Sequence, residues 1–228
     1  MSESPSSVPS ADAPAREAAR QPAYREHARS YDQRTSAFQD YRRAVVEALP
    51  LCRGQVVLDV GCGTGLCHGS LLDKVGPSGR VVGVEESPEM VAVARERIEQ
   101  EGWRNVTVVQ SSAEDAQIAS LADAALFCAV HDILQSPDAL RNVLSKLRPG
   151  AGVAAGGGKW AAPWMVAVNL PVTMLHAPYV RSFEGFQRPW HHLEQLLVDV
   201  HVHEMALGSG YVLTGHAPPR NQSAVPGH

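Results

Sequence analysis

Residues 56–65 read Val56-Val57-Leu58-Asp59-Val60-Gly61-Cys62-Gly63-Thr64-Gly65. A β-branched apolar run meets an acid and passes into a loop with glycine at every second position. Glycine lacks a Cβ and tolerates positive φ, so such a loop lets backbone come close to a bound ligand. The dinucleotide fingerprint G-x-G-x-x-G uses its third glycine to pack helix against strand. Here the glycines are Gly61, Gly63 and Gly65, and Leu66 stands where that pattern wants glycine. The stretch points to a nucleotide-like ligand and disfavours a nicotinamide dinucleotide.

Outward from the loop, turn and cap signals divide the chain. Strand-like runs are Gln55–Val60, Arg80–Glu85, Val106–Gln110, Ala124–Ala129 and Gly152–Gly156. Helices are predicted from Gly65 to Val75, from Ser87 to Gly102, and over Asp138–Leu147, the last closed by Arg148-Pro149-Gly150. The second has Ser87 as N-cap, Pro88 in the first turn and a stripe of Met90, Ala94 and Ile98. Alternating strands and helices predict a parallel sheet covered on both faces. The end of the chain differs. Val198–Leu207 and Tyr211–His216, joined by Gly208-Ser209-Gly210, read as an antiparallel hairpin.

The run Leu58-Asp59-Val60-Gly61-Cys62-Gly63-Thr64-Gly65 resembles the first motif of class I S-adenosylmethionine-dependent methyltransferases, of the type acting on small molecules. The resemblance covers roughly residues 28–157. It implies an α/β, Rossmann-like sheet of seven strands, mostly parallel, with an antiparallel C-terminal hairpin and helices on both faces. One domain is expected over residues 23–216: a helical cap (23–50), a cofactor-binding core (51–157), a substrate lid (158–197) and the hairpin (198–216). Composition predicts disordered tails at 1–22 and 217–228.

In open α/β sheets, ligands sit beyond the carboxyl ends of the strands. By the resemblance, Asp59 and the loop Gly61, Cys62, Gly63, Thr64 and Gly65 lie against the methionine and ribose of the cofactor. A carboxylate there suits a ligand carrying a sulfonium and an ammonium; the alternative is that Asp59 only ties down the loop, and the two roles are compatible. Glu85, 24 residues after Gly61, takes the place of the acid that accepts hydrogen bonds from both ribose hydroxyls, with Glu86 its rival. Met90 joins the cofactor set. After the third strand, Ser112, Ala113 and Glu114 are candidates for the adenine edge, or Ser112 is a plain N-cap. After the fourth, Cys128 and Ala129 flank the methyl side. His131 resembles a histidine that takes a proton from a hydroxyl acceptor, with Asp132 to orient it; a structural role for His131 is the alternative. The segment Ala28-Arg29-Ser30-Tyr31-Asp32 looks like the entrance motif of this family, where Tyr31 touches cofactor or acceptor.

Between the fifth strand and the hairpin run about 40 residues, long for a simple connection. Their aromatic content reads as a lid over an apolar acceptor, with Trp160, Trp164, His176, Tyr179, Phe183 and Trp190, together with Tyr24, as substrate candidates. A helix burying its aromatics in the core is the alternative.

Composition narrows the remaining classes. A net charge of -4 and a pI near 6.2 argue against non-specific nucleic-acid binding. The four cysteines include no C-x-x-C pair, which reads as reduced thiols in a cytoplasmic protein. The apolar stretch Trp160–Pro178 is broken by Pro163, Asn169, Pro171 and His176, so no membrane span is expected. His191 and His192 are adjacent and would not share a helix face, so no metal is expected. The reading is methyl transfer from S-adenosylmethionine to oxygen, nitrogen or carbon of a small, partly apolar molecule. The alternative is a protein of the same fold that binds this cofactor for a cyclase-like or regulatory purpose.

Overall fold

The structure is a computed structural model and describes residues 32–219. Tyr24, Tyr31 and the N-terminal tail lie outside the described residues. A helix α1 (Gln39–Ala48) precedes β1 (Val56–Val60), α2 (His68–Val75), β2 (Arg80–Glu85), α3 (Pro88–Gln100) and β3 (Val106–Gln110). Then come β4 (Ala122–Cys128), a single turn α4 (His131–Leu134), α5 (Pro137–Ser145) and β5 (Leu147–Gly158). The chain ends with α6 (Val166–His176), a short α7 (His191–Glu194), β6 (Val198–Met205) and β7 (Gly210–His216).

The seven strands form one sheet in the order β3-β2-β1-β4-β5-β7-β6. β7 runs antiparallel to both β5 and β6, and the other pairs are parallel. The register aligns the strand ends. Val60 faces Val84 on one side and Phe127 on the other. Gly61, Glu86 and Ala129 therefore leave the sheet along one edge, the carboxyl edge expected to hold ligand.

Side-chain alternation explains why the central strands are apolar throughout. Leu58, Val60, Phe127, Val153 and Leu213 face α5 and α7. Val57, Val81, Leu126, Ala154 and Val212 face α1 and α2, meeting Val45, Val46, Leu49 and Leu71. Helix α3 starts as read: the Ser87 hydroxyl accepts from the Met90 amide at 3.2 Å, with Pro88 in the first turn. Ser136-Pro137 repeats that signal, its hydroxyl accepting from the Ala139 amide, so α5 begins one residue before Asp138.

Several boundaries depart from the sequence reading: the helix after the glycine loop starts at His68, β4 spans Ala122–Cys128, and β6 stops at Met205. Arg148-Pro149-Gly150 belongs to β5, because Leu147 pairs with Ala122 ahead of a bulge between Ala122 and Ala124. Ala217 is no part of a tail. It is buried, donates to the Ala151 carbonyl at 2.9 Å and accepts from the Gly150 amide at 3.0 Å. Among the described residues no helix is long and apolar enough to cross a membrane, and no cluster of three or more side chains could hold a metal ion.

Candidate active site

The glycine loop is held from below by the end of β2. The Val84 carbonyl accepts from the amides of Gly61 (2.8 Å) and Cys62 (3.0 Å). Glu85 extends the grip: its Oε2 accepts from the Gly63 amide at 3.0 Å and its Oε1 from the Ser87 amide at 2.9 Å. One carboxylate thus orders the loop after β1 and the start of α3.

Each glycine in the loop is needed for a different reason. All three have positive φ. A Cβ on Gly61 would sit 2.5 Å from Val130 Cγ1, and one on Gly65 would meet the His68 ring at 2.6 Å. A Cβ on Gly63 would meet nothing within 4 Å. That face opens into a cavity of about 400 Å³, counting the part open to solvent, bounded by Arg42, Asp59, Gly61 to Thr64, Cys128 and Ala129.

Asp59 lies under the loop at 2% exposure. Burial, reinforced by the nearby charge of Glu85, pushes its carboxyl up to about 7. Its Oδ2 faces Nε2 of the fully buried His68 at 3.4 Å, with no directed hydrogen bond between them. Burial, then the Arg97 guanidinium, lowers His68 to about 4. Cys62 and Cys67 are buried thiols pushed up, Cys62 chiefly by burial and Cys67 chiefly by its contact with Cys128. They are neutral walls here, not nucleophiles.

The described chain begins at this loop. Asp32 accepts from the Thr64 hydroxyl at 2.6 Å and forms an ion pair with Arg97, whose Nε donates to the Thr64 carbonyl. Asp32 is therefore fastened to the loop from both sides.

The long connection after β5 closes over the same edge. Phe186, 1% exposed, is its centre and meets the rings of Trp160, His176, Phe183 and His131 at centroid distances of 5.0–5.5 Å. Trp160 stacks on Phe183 and donates from Nε1 to the Thr173 hydroxyl on α6. Three contacts fasten this connection to the carboxyl edge of the sheet. The His131 Nε2 donates to the Glu184 carbonyl at 2.9 Å, the Asp132 carboxylate accepts from the Arg181 amide, and the Arg181 guanidinium reaches Glu86.

The predicted residues separate into groups. Asp59, Gly61, Cys62, Gly63, Thr64, Cys128 and Ala129 meet at the cavity, with Gly65 and Glu85 fixing its loop. Glu86 turns to Arg181 of the connection after β5. Ser112 caps its own turn through Asp115, and Glu114 accepts from Ser136, while Ala113 is buried beneath them. Met90 is half-buried in the first turn of α3. His131 is 8% exposed, its Nδ1 has no partner, and burial holds it below the ordinary imidazole range. Trp160, His176 and Phe183 gather around Phe186. Tyr179 lies apart, under the Arg34 guanidinium. Trp190 packs into the core on Tyr211 at 4.5 Å, and Trp164 is 82% exposed. Sequence reasoning passed over His68, Arg42 and Arg181. A histidine three residues past Gly65 was the available signal for the first; nothing local marks a long-range partner for the others.

Comparison with known proteins gives the following. Residues 57–150 match the family described as "Methyltransferase domain". A stretch of 65 residues is 45% identical to a protein-L-isoaspartate O-methyltransferase of Ignicoccus hospitalis, covering 28% of this chain and 31% of that one. Another, of 72 residues, is 36% identical to the aklanonic acid methyltransferase DauC of Streptomyces sp., covering 32% and 33%. A longer match, 151 residues at 32% identity, is to an uncharacterized 37.1 kDa protein of a Streptomyces fradiae transposon, covering 64% of this chain and 42% of that one. The chain thus spans less than half the length of these curated relatives. A solved S-adenosylmethionine-dependent methyltransferase from Aquifex aeolicus shares the fold, with a TM-score of 0.58 at 19% identity over 85% of this chain and 98% of that one.

Proposed function

We propose that this chain, whose residues 57–150 are a methyltransferase domain of the class I fold, moves a methyl group from S-adenosylmethionine to a small, partly apolar molecule. The observation that carries the donor half is the open face of Gly63 above two acids, Asp59 and Glu85. A cationic ligand suits such a floor. Bound there, the cofactor would supply an electrophilic methyl group on its sulfonium.

The chain's own contribution is positioning. Glu85 holds the loop that would lie against the ribose, and Cys128 and Ala129 form the wall on the methyl side. Holding donor and acceptor near 3 Å in line removes much of the barrier. The lid supplies the acceptor side: Trp160, His176 and Phe183 around Phe186 offer flat apolar surface, which favours an apolar ring over a charged chain. Where the acceptor is a hydroxyl, His131 is the group to take its proton. Its Nε2 proton is committed to Glu184, so Nδ1 is the bare nitrogen.

The likeness to protein-L-isoaspartate O-methyltransferases supports a second acceptor class, an isoaspartyl carboxylate in a peptide. Incubation with methyl-labelled cofactor and cell extract separates the two. Label in the low-molecular-weight fraction is expected. Label only in protein, or in an isoaspartyl peptide offered alone, would replace the small-molecule reading.

A further inference from the structure

His68, which the methyl-transfer reading does not use, faces Asp59, which it does. His68 has no exposed surface, and neither ring nitrogen has a hydrogen-bond partner. Its Nε2 looks at the equally unpartnered Oδ2 of Asp59 across 3.4 Å. The space is kept for this ring. A Cβ on Gly65 would strike it at 2.6 Å, and one on Gly83 would come within 3.2 Å of Nε2; the edge of Trp103 closes another side. A buried polar ring in so fitted a slot costs stability unless it has a partner in some state of the protein.

Resting on the donor reading above, we propose that His68 is the positioning residue for Asp59. Its imidazole accepts from the protonated carboxyl and donates to the carboxylate, so that one proton leaves the pair for solvent when the cationic cofactor binds below neutral pH. The proton count balances: Asp59 loses it, His68 stays neutral and changes which nitrogen bears its hydrogen. The surroundings favour this over a buried imidazolium. Arg97 of α3, paired with Asp32, opposes positive charge on His68. Glu85 of β2 opposes negative charge on Asp59 until a cation arrives. Arg42 of α1 lines the same cavity, and the Cys62 and Cys67 thiols stay neutral.

The test is calorimetry of S-adenosylmethionine binding to the full chain between pH 6 and 8, in buffers of different ionisation enthalpy. The wild type should release close to one proton at pH 6 and bind about tenfold more weakly there than at pH 8. His68→Phe should move the midpoint of that profile up by a pH unit or more, and His68→Gln, which keeps an N–H donor, should restore part of it. Should His68→Phe fail to fold, His68→Leu takes its place in the same comparison. A flat affinity with no proton release, or an unchanged profile in a folded His68→Phe, would overturn the role of His68. No binding at any pH would instead bring down the donor reading, and this inference with it.

Discussion

Arg181 Nη2 lies 2.8 Å from Glu86 Oε1 and so pins the lid to the end of β2. The same side chain lies 3.8 Å from Asp132 in α4, the helical turn after β4. One lid residue therefore spans the cleft between the strands that flank β1. The arginine is 79% exposed, which makes the latch weak and sensitive to salt. Arg181→Ala is expected to speed both binding and release of S-adenosylmethionine by up to about fivefold, leaving the equilibrium constant nearly unchanged. Stopped-flow fluorescence at low and high salt checks this; equal rates in variant and wild type at low salt would show that the bridge does not gate the site.

Gly61 and Gly63 should respond differently to alanine. At Gly61 the new methyl would lie 2.5 Å from Val130, so Gly61→Ala is expected to cost about 2 kcal/mol or more of stability. Gly63→Ala meets open space, so its stability cost is the left-handed backbone, about 1–2 kcal/mol, while cofactor binding weakens tenfold or more. Urea unfolding paired with calorimetry separates the two effects.

Glu85→Ala removes the acceptor of two backbone amides, Gly63 and Ser87. It should weaken cofactor binding by about 1.5–3 kcal/mol. Glu85→Gln keeps one carbonyl oxygen and should lose less. Unchanged affinity in the alanine variant would show that the loop keeps its binding shape without Glu85.

The buried Asp59–His68 pair sets two opposing slopes in stability against pH. Asp59, raised to about 7, binds a proton in the native state that the unfolded chain has lost, so its contribution falls as pH rises from about 4 to 7. His68, lowered to about 4, is neutral in the native state where the unfolded chain is protonated, so its contribution grows with pH from about 4 to 6.5. The two nearly cancel. Asp59→Asn should expose the rising slope and His68→Gln the falling one, each of order 3 kcal/mol across the window. Denaturant midpoints measured in half-unit pH steps would reveal them; a flat profile in both variants would rule the opposition out.

Trp160→Ala should raise the acceptor KM about tenfold and leave cofactor affinity unchanged, since Trp160 stacks on Phe183 rather than lining the glycine-loop cavity. Parallel loss of both affinities would place the tryptophan in the lid's support.

The parts legible in the sequence share a physical character. The strands at Val56–Val60 and Val106–Gln110, the Ser87-Pro88 cap and the glycine loop are local signals, in which a residue and its neighbours determine the backbone. The Gly208-Ser209-Gly210 link was legible as a hairpin, although the turn is made by Ala206, Leu207 and Gly208, all in left-handed conformation. What escaped is long-range. Trp190 and Phe186 sit four residues apart in one aromatic segment, yet one packs on Tyr211 in the core and the other centres the lid. Their sequence surroundings do not distinguish them. The same holds for Glu85 and Glu86, adjacent acids of which one turns to the glycine loop and the other to Arg181.

Ala129 carries the left-handed backbone of a glycine, with φ at 59°, and the rung from its amide to the Gly156 carbonyl at 2.7 Å keeps it there. A glycine would hold the same shape without strain, so the fold gives up about 1–2 kcal/mol for a single methyl group on the cavity wall. That methyl acts as a spacer. It sets, by one carbon, how much bulk can stand beside the end of β4.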